Sequence, residues 1–173
     1  MAALVPPAAL AKVGVGDAFP AWSLTDLSGR SHQLGSDGTV TLLYFLGSGC
    51  SICSDISKQL DADFAKPFAA DIVVYAIDSL DGSAEELGHL RSQSGAGFPF
   101  LRDGSALTAA CGISWHALMV LDDQGTIRYL TEGANSGIYQ PGALREAIDR
   151  LLGHVAETRA KTWGAIKQLY DGR

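Results

Sequence analysis

Thr39 to Cys53 reads TVTLLYFLGSGCSIC, and the rest of the chain can be organised around it. Its first half, Thr39 to Leu46, is an almost unbroken apolar and β-branched run bounded by glycines. Too short for a typical helix, it predicts a strand buried on both faces. Its second half leads through Gly47, Ser48 and Gly49 into a helical pattern, with Cys53, Ile56, Leu60 and Phe64 at three- and four-residue steps until Pro67. Asp71 to Asp78 (DIVVYAID) then predicts a second buried strand. Strand, helix and strand make a βαβ unit, which implies a parallel pair with a right-handed crossover.

Working outward, Trp22, Leu24, Leu27 and Leu34 flank a turn at Asp26 to Arg30 and predict a loose hairpin. Downstream, Ser83 offers an N-cap, with Glu85 and Glu86 in the first turn of a helix. Ala117 to Leu121 and Thr126 to Leu130 read as strands joined by an Asp122 to Gly125 turn. A last helix begins near Pro141, with Leu144, Ile148, Leu151 and Leu152 on one face. The expected class is α/β: a central mixed sheet flanked by helices, with an N-terminal hairpin extension. Residues 14–152 are read as the domain, 1–13 as an arm and 153–173 as a helical tail. In the tail, Trp163, Ile166, Leu169 and Tyr170 have near-helical spacing. Packing back on the domain is the simpler expectation for it, and a homodimer contact is the alternative.

With 173 residues, the chain fits one domain and can bury roughly 70% of its unfolded surface. Its 47% hydrophobic content excludes intrinsic disorder, and no stretch approaches the ~20 apolar residues of a membrane span. A formal charge of −6 disfavours nucleic-acid and anionic-membrane binding. Three cysteines are too few for a disulfide scaffold but enough for a redox site.

Cys50 and Cys53 form a Cys-x-x-Cys where a buried strand becomes a helix. Free backbone N–H groups and the partial positive charge of a helix start favour a thiolate there. Cys50, at the mouth of the helix, is the expected nucleophile. Cys53, one turn inside, is placed to attack a mixed disulfide and release the substrate. Gly47 and Gly49 permit a tight loop and an unobstructed approach for a substrate backbone, so Gly49, Ser51 and Ile52 are candidate substrate contacts. A half zinc site and a pair of ordinary core cysteines are the alternatives. No second Cys-x-x-Cys exists, and His32, His89 and His154 are scattered, so neither metal nor cofactor is expected.

Phe45 to Cys53 resembles the Phe-Trp-Ala-x-Trp-Cys-x-x-Cys segment of thioredoxin-fold oxidoreductases. Gly16 to Arg30 (GDAFPAWSLTDLSGR) is similar to the opening of the redoxin branch, which holds the TlpA/ResA-like thiol–disulfide oxidoreductases and the peroxiredoxins. Phe98 to Asp103 and Leu121 to Ile127 match later stations, so the resemblance covers about Val15 to Leu152. A shorter likeness, in Phe45 to Cys53 and Glu132 to Ser136, is to the MauD-like redoxins. The resemblance implies a thioredoxin-like fold and dithiol–disulfide exchange with protein substrates.

Two departures stand out. The station of the family's cis-proline holds His116, preceded by Trp115, and no proline lies between Pro99 and Pro141. A cis bond without proline costs ~3 kcal/mol, so a trans bond and an altered substrate groove are expected. His116 is then a candidate site residue, to stabilise the thiolate or move protons, and Trp115 a candidate apolar platform for substrate; packing roles are the alternatives. The station of thioredoxin's buried aspartate holds Tyr44, so proton handling must differ. Cys111 is expected to be buried and inert.

A thiol peroxidase is the runner-up. Its Pro-x-x-x-Thr/Ser-x-x-Cys pattern fits neither register: Leu46 and Cys50 occupy the stations counted from Cys53, Leu43 and Gly47 those counted from Cys50. A thiol- or metal-binding module without catalysis is the third reading. The Ala-, Leu- and Pro-rich start has no basic residue before it and Pro6-Pro7 within it, which favours the cytoplasm. The family resemblance favours an exported or membrane-tethered setting.

Overall fold

Every side chain of β3 (Val40–Leu46) is buried, as a strand covered on both faces requires. The computed structural model describes residues 12–35, 38–153 and 167. Most of the expected arm and tail, including Trp163, Ile166, Leu169 and Tyr170, lies outside the described residues. Val40, Leu42, Tyr44 and Leu46 point into one apolar cluster, and Leu43 and Phe45 into another on the opposite face. This is the period-two alternation of a strand, here with apolar groups on both sides.

The expected elements follow in order, with β5 and α3 added between α2 and β6: a hairpin of β1 (Trp22–Thr25) and β2 (Ser31–Leu34), β3, α1 (Ser51–Leu60), β4 (Ile72–Asp78), α2 (Ala84–Ser94), β5 (Phe100–Leu101), α3 (Ser105–Cys111), β6 (Ala117–Leu121) and β7 (Ile127–Glu132). A final helix, α4, covers residues 141–153. The main sheet has five strands in the order β5-β4-β3-β6-β7. β3 pairs in parallel with β4, from Val40 opposite Ile72 to Leu46 opposite Asp78, and antiparallel with β6. β7 pairs antiparallel with β6, and β5 in parallel with β4, so the sheet is mixed.

Helix α1 buries Cys53, Ile56 and Leu60 against the same face as Tyr44, together with Leu87 and Leu90 of α2 and Leu144 and Ile148 of α4. It runs on into one wider turn, a π-helix over Asp61–Ala65, in which the Lys66 N–H reaches the Asp61 carbonyl at 3.0 Å just before Pro67. The other face is covered by α3, through Leu107 and Cys111, and by Leu24 and Leu34 of the hairpin. Asp26 organises the hairpin turn: its carboxylate accepts from the Ser28 N–H at 2.8 Å, the Ser28 hydroxyl at 2.6 Å and the Arg30 N–H at 3.0 Å, and meets His32 Nε2 at 2.7 Å. Asp122 does the same between β6 and β7, accepting from the Gln124 and Thr126 N–H groups at 2.9 and 2.8 Å.

Asp78, a carboxylate whose ordinary place is the solvated surface, is fully buried at the end of β4. The β4 register carries it inside beside Leu46, where its Oδ1 accepts from the Leu80 N–H at 3.2 Å and its Oδ2 has no protein partner. Among the described residues no helix is long and apolar enough to cross a membrane.

Candidate active site

Strand β3 delivers the chain to the sheet's edge at Leu46, and Gly47 to Gly49 turn it into α1. Gly47 makes a close approach: a Cβ there would lie 2.8 Å from Cδ1 of the exposed Leu80, which would have to move aside, and 3.4 Å from Trp115 Cε3. Cys50 is the N-cap of α1, with extended backbone (φ −93°, ψ 107°), and its Sγ accepts from the Cys53 N–H at 3.2 Å. No acidic residue lies in the first turn. A thiolate at Cys50 therefore meets an aimed N–H and the positive end of the helix, with no carboxylate in that turn opposing it. Cys50 is partly exposed and Cys53 fully buried. The two are joined by a disulfide, with Cα atoms 5.3 Å apart.

His116 stands beside this pair. It precedes β6, and its register puts it on the sheet face that carries Tyr44 and Cys53. A ring nitrogen of His116 and the two sulfurs lie within 4.8 Å of one another. The imidazole is fully buried between two partners: Nδ1 meets the Gly133 carbonyl at 2.9 Å, and Nε2 the Tyr44 hydroxyl at 3.0 Å. A carbonyl only accepts, so Nδ1 carries the proton and, in the neutral ring, Nε2 accepts from Tyr44. Burial enforces those states. It holds His116 below the ordinary histidine range, against the opposing pull of the Gly133 carbonyl, and pushes the Tyr44 hydroxyl above the ordinary phenol value.

The other expected residues are near at hand. Trp115 is stacked on the His116 ring, centroids 5.0 Å apart and planes 22° apart, and remains partly exposed. The described peptide bonds, Trp115–His116 included, are all trans. Gly49 and Ser51 are exposed and Ile52 half-buried. Gly49, Cys50 and Ser51 line a cleft whose far wall is Glu86, His89 and Gln93 of α2. None of those three was read from the sequence as a site residue, because their place beside Cys50 depends on where α2 lands and no local motif marks it. Leu80, 58% exposed, is the other missed residue: it and Trp115 both lie against Gly47. Cys111 is buried on the opposite face of the sheet, and burial pushes its thiol up to about 11.

Solved structures share this architecture. A candidate protein disulfide isomerase of Bacteroides thetaiotaomicron matches with a TM-score of 0.71 at 24% identity, over 82% of this chain and 91% of that one. A candidate thiol:disulfide interchange protein, DsbE, of Chlorobium tepidum gives 0.70 at 23%, over 82% and 99%. A secreted Mycobacterium tuberculosis disulfide oxidoreductase homologous to DsbE gives 0.62 at 16%, over 75% and 96%. The chain has the thioredoxin fold. Comparison of the sequence with protein-family models and with curated proteins returns no match. On this thioredoxin fold, the Cys50–Cys53 disulfide sits where a strand meets a helix, with His116 and Tyr44 at the two stations where the sequence departs from the redoxin pattern.

Proposed function

We propose that this protein is a thiol–disulfide oxidoreductase that exchanges its Cys50/Cys53 dithiol and disulfide with protein substrates. The observation that carries the reading is the partly exposed Cys50 sulfur, capped by the Cys53 N–H and bonded to a buried partner at the start of α1. The Cys50 thiolate attacks a substrate disulfide, forming a mixed disulfide and expelling one substrate thiolate. The Cys53 thiolate then attacks Cys50 Sγ, closing the intramolecular disulfide and expelling the second. Two electrons pass to the substrate, and the reverse sequence oxidises a substrate dithiol.

Cys53 must lose a proton before it attacks, in a pocket sealed from solvent. The His116–Tyr44 pair is the hydrogen-bonded acceptor and donor beside it. We assign proton handling to this pair, in place of an aspartate. Gly49, Ser51 and Ile52 flank the nucleophile as substrate contacts, and Trp115 with exposed Leu80 offers an apolar platform for a substrate chain. A peroxidase gains no support, because Leu43, Leu46 and Gly47 supply neither the proline nor the hydroxyl of peroxide activation. Of the two compartments considered, the secreted neighbour favours the extracytoplasmic one over the cytoplasm.

Trapping tests the reading. Cys53→Ser should accumulate a mixed disulfide through Cys50 with a disulfide-containing protein substrate, resolved by non-reducing electrophoresis and mass spectrometry, and Cys50→Ser should accumulate none. A Cys53→Ser protein that remains an unmodified monothiol in excess disulfide substrate would contradict it.

A further inference from the structure

Cys50, Cys53 and His116 form a cluster whose geometry suits more than disulfide exchange. Their donor atoms lie within 4.8 Å of one another. Three donors around an ion at bond lengths of ~2.0–2.3 Å stand about 4 Å apart, so after reduction the two sulfurs part from bonding contact to that distance while the imidazole nitrogen closes by less than about 1 Å. Two soft thiolates with one imidazole are ligands for thiophilic d10 ions. The Gly133 carbonyl holds the Nδ1–H of His116 at 2.9 Å, the kind of outer hydrogen bond that fixes tautomer and ring orientation in metal-bound histidines.

We propose that the reduced protein binds one monovalent copper ion, three-coordinate, through Cys50 Sγ, Cys53 Sγ and His116 Nε2, whose lone pair turns from the Tyr44 hydroxyl to the ion while Nδ1 keeps the Gly133 carbonyl. Soft thiolates select the ion, and among the described residues the cluster offers three donors, the number monovalent copper takes without a fourth; zinc on such a set keeps a water as its fourth ligand, so the coordination number separates the two. Burial of Cys53 and His116 keeps competing water and chelators to the Cys50 side. The sequence did not expose this set, since His116 lies far along the chain from the Cys-x-x-Cys and reaches it only through β3–β6 pairing.

The inference uses the thiol pair of the proposed oxidoreductase without requiring that it exchange with a substrate. A dithiol reductant delivers two electrons and two protons to the Cys50–Cys53 disulfide and leaves as its own disulfide. The copper ion then displaces the two thiol protons and forms two Cu–S bonds, with no change in oxidation state. Metal binding and the disulfide are thereby mutually exclusive, and the loaded protein is withheld from exchange.

The test is anaerobic titration of the chemically reduced and desalted protein with copper(I) against bicinchoninate, beside the disulfide form. The expected result is one equivalent held by the reduced protein and none by the oxidised one, with affinity falling at least tenfold in His116→Ala. X-ray absorption at the copper edge on the unaltered protein, which does not depend on how that variant folds, should show two sulfurs and one nitrogen. Failure of the reduced protein to compete, a sulfur-only shell with affinity unchanged in His116→Ala, or a shell of four donors would each overturn the proposal. Mixed-disulfide trapping reads the exchange function separately, so either can fail without the other.

Discussion

At the scale of single residues, two buried polar groups give this site its character. Tyr44 and His116 satisfy each other, and the Gly133 carbonyl takes the remaining imidazole proton, so the pair leaves no ring nitrogen of His116 unpaired. The sequence pointed to both positions by what was missing from them, an aspartate and a proline. It did not show that they touch, because residues 72 positions apart meet only through the sheet. Asp78 is the opposite case, a buried carboxylate with one oxygen unpartnered. Burial raises its pKa above the usual carboxylate value, against the pull of the nearby Leu80, Gly82 and Ser48 N–H groups. A raised carboxylate pKa means that the folded state favours the protonated form. Stability therefore declines as pH rises from the unfolded value of ~3.9 through the folded one. Asp78→Asn is expected to raise the melting temperature at pH 7–8 and to lose that advantage in acid, a comparison that thermal denaturation across pH makes directly. A loss of stability at pH 7–8 that shrinks in acid would show instead that the carboxylate is needed in its charged form.

At the scale of elements, helix starts do most of the positioning. Helix α1 is capped by the Cys50 sulfur itself, so the local structure that begins the helix also orients the proposed nucleophile. Helix α2 carries a full capping box: the Ser83 hydroxyl accepts from the Glu86 N–H at 3.1 Å, and Glu86 Oε2 accepts from the Ser83 N–H at 2.9 Å. Ser83→Ala should destabilise the protein by about 1 kcal/mol, read by denaturant unfolding. No change in the midpoint would show that tertiary packing of Leu87 and Leu90 alone holds α2. Long periodic segments were legible in the sequence for the same physical reason that they fold: β3, β4, α1 and α4 bury repeating apolar faces. β5, only Phe100–Leu101, is too short to show a period, and the π turn after α1 is held from afar by the Gly97 N–H on the Asp61 carboxylate. Neither could be read from local pattern.

At the scale of the whole molecule, a sheet covered on both faces presents one reactive corner. The apolar clusters on its two faces stabilise the scaffold, with burial of each large aliphatic side chain contributing roughly 1.5–3 kcal/mol. Both active sulfurs lie where β3 leaves the sheet and α1 begins, while Cys111 is sealed on the far face. The order of elements and the Cys-x-x-Cys were legible because chain order alone defines them. The cleft wall of Glu86, His89 and Gln93 and the Leu80–Trp115 rim were not, since they arise from the docking of α2 and of the β4–α2 loop. All of these features surround the pair that the proposed function cycles between dithiol and disulfide. A redox titration in glutathione buffers, read by thiol alkylation and mass, therefore tests the central claim most directly. The account predicts one reversible two-electron transition of Cys50 and Cys53, lost in Cys50→Ser and in Cys53→Ser, within the range of ~−270 to −120 mV spanned by thioredoxin-fold reductants and oxidants. A pair that shows no transition anywhere in that range would contradict it.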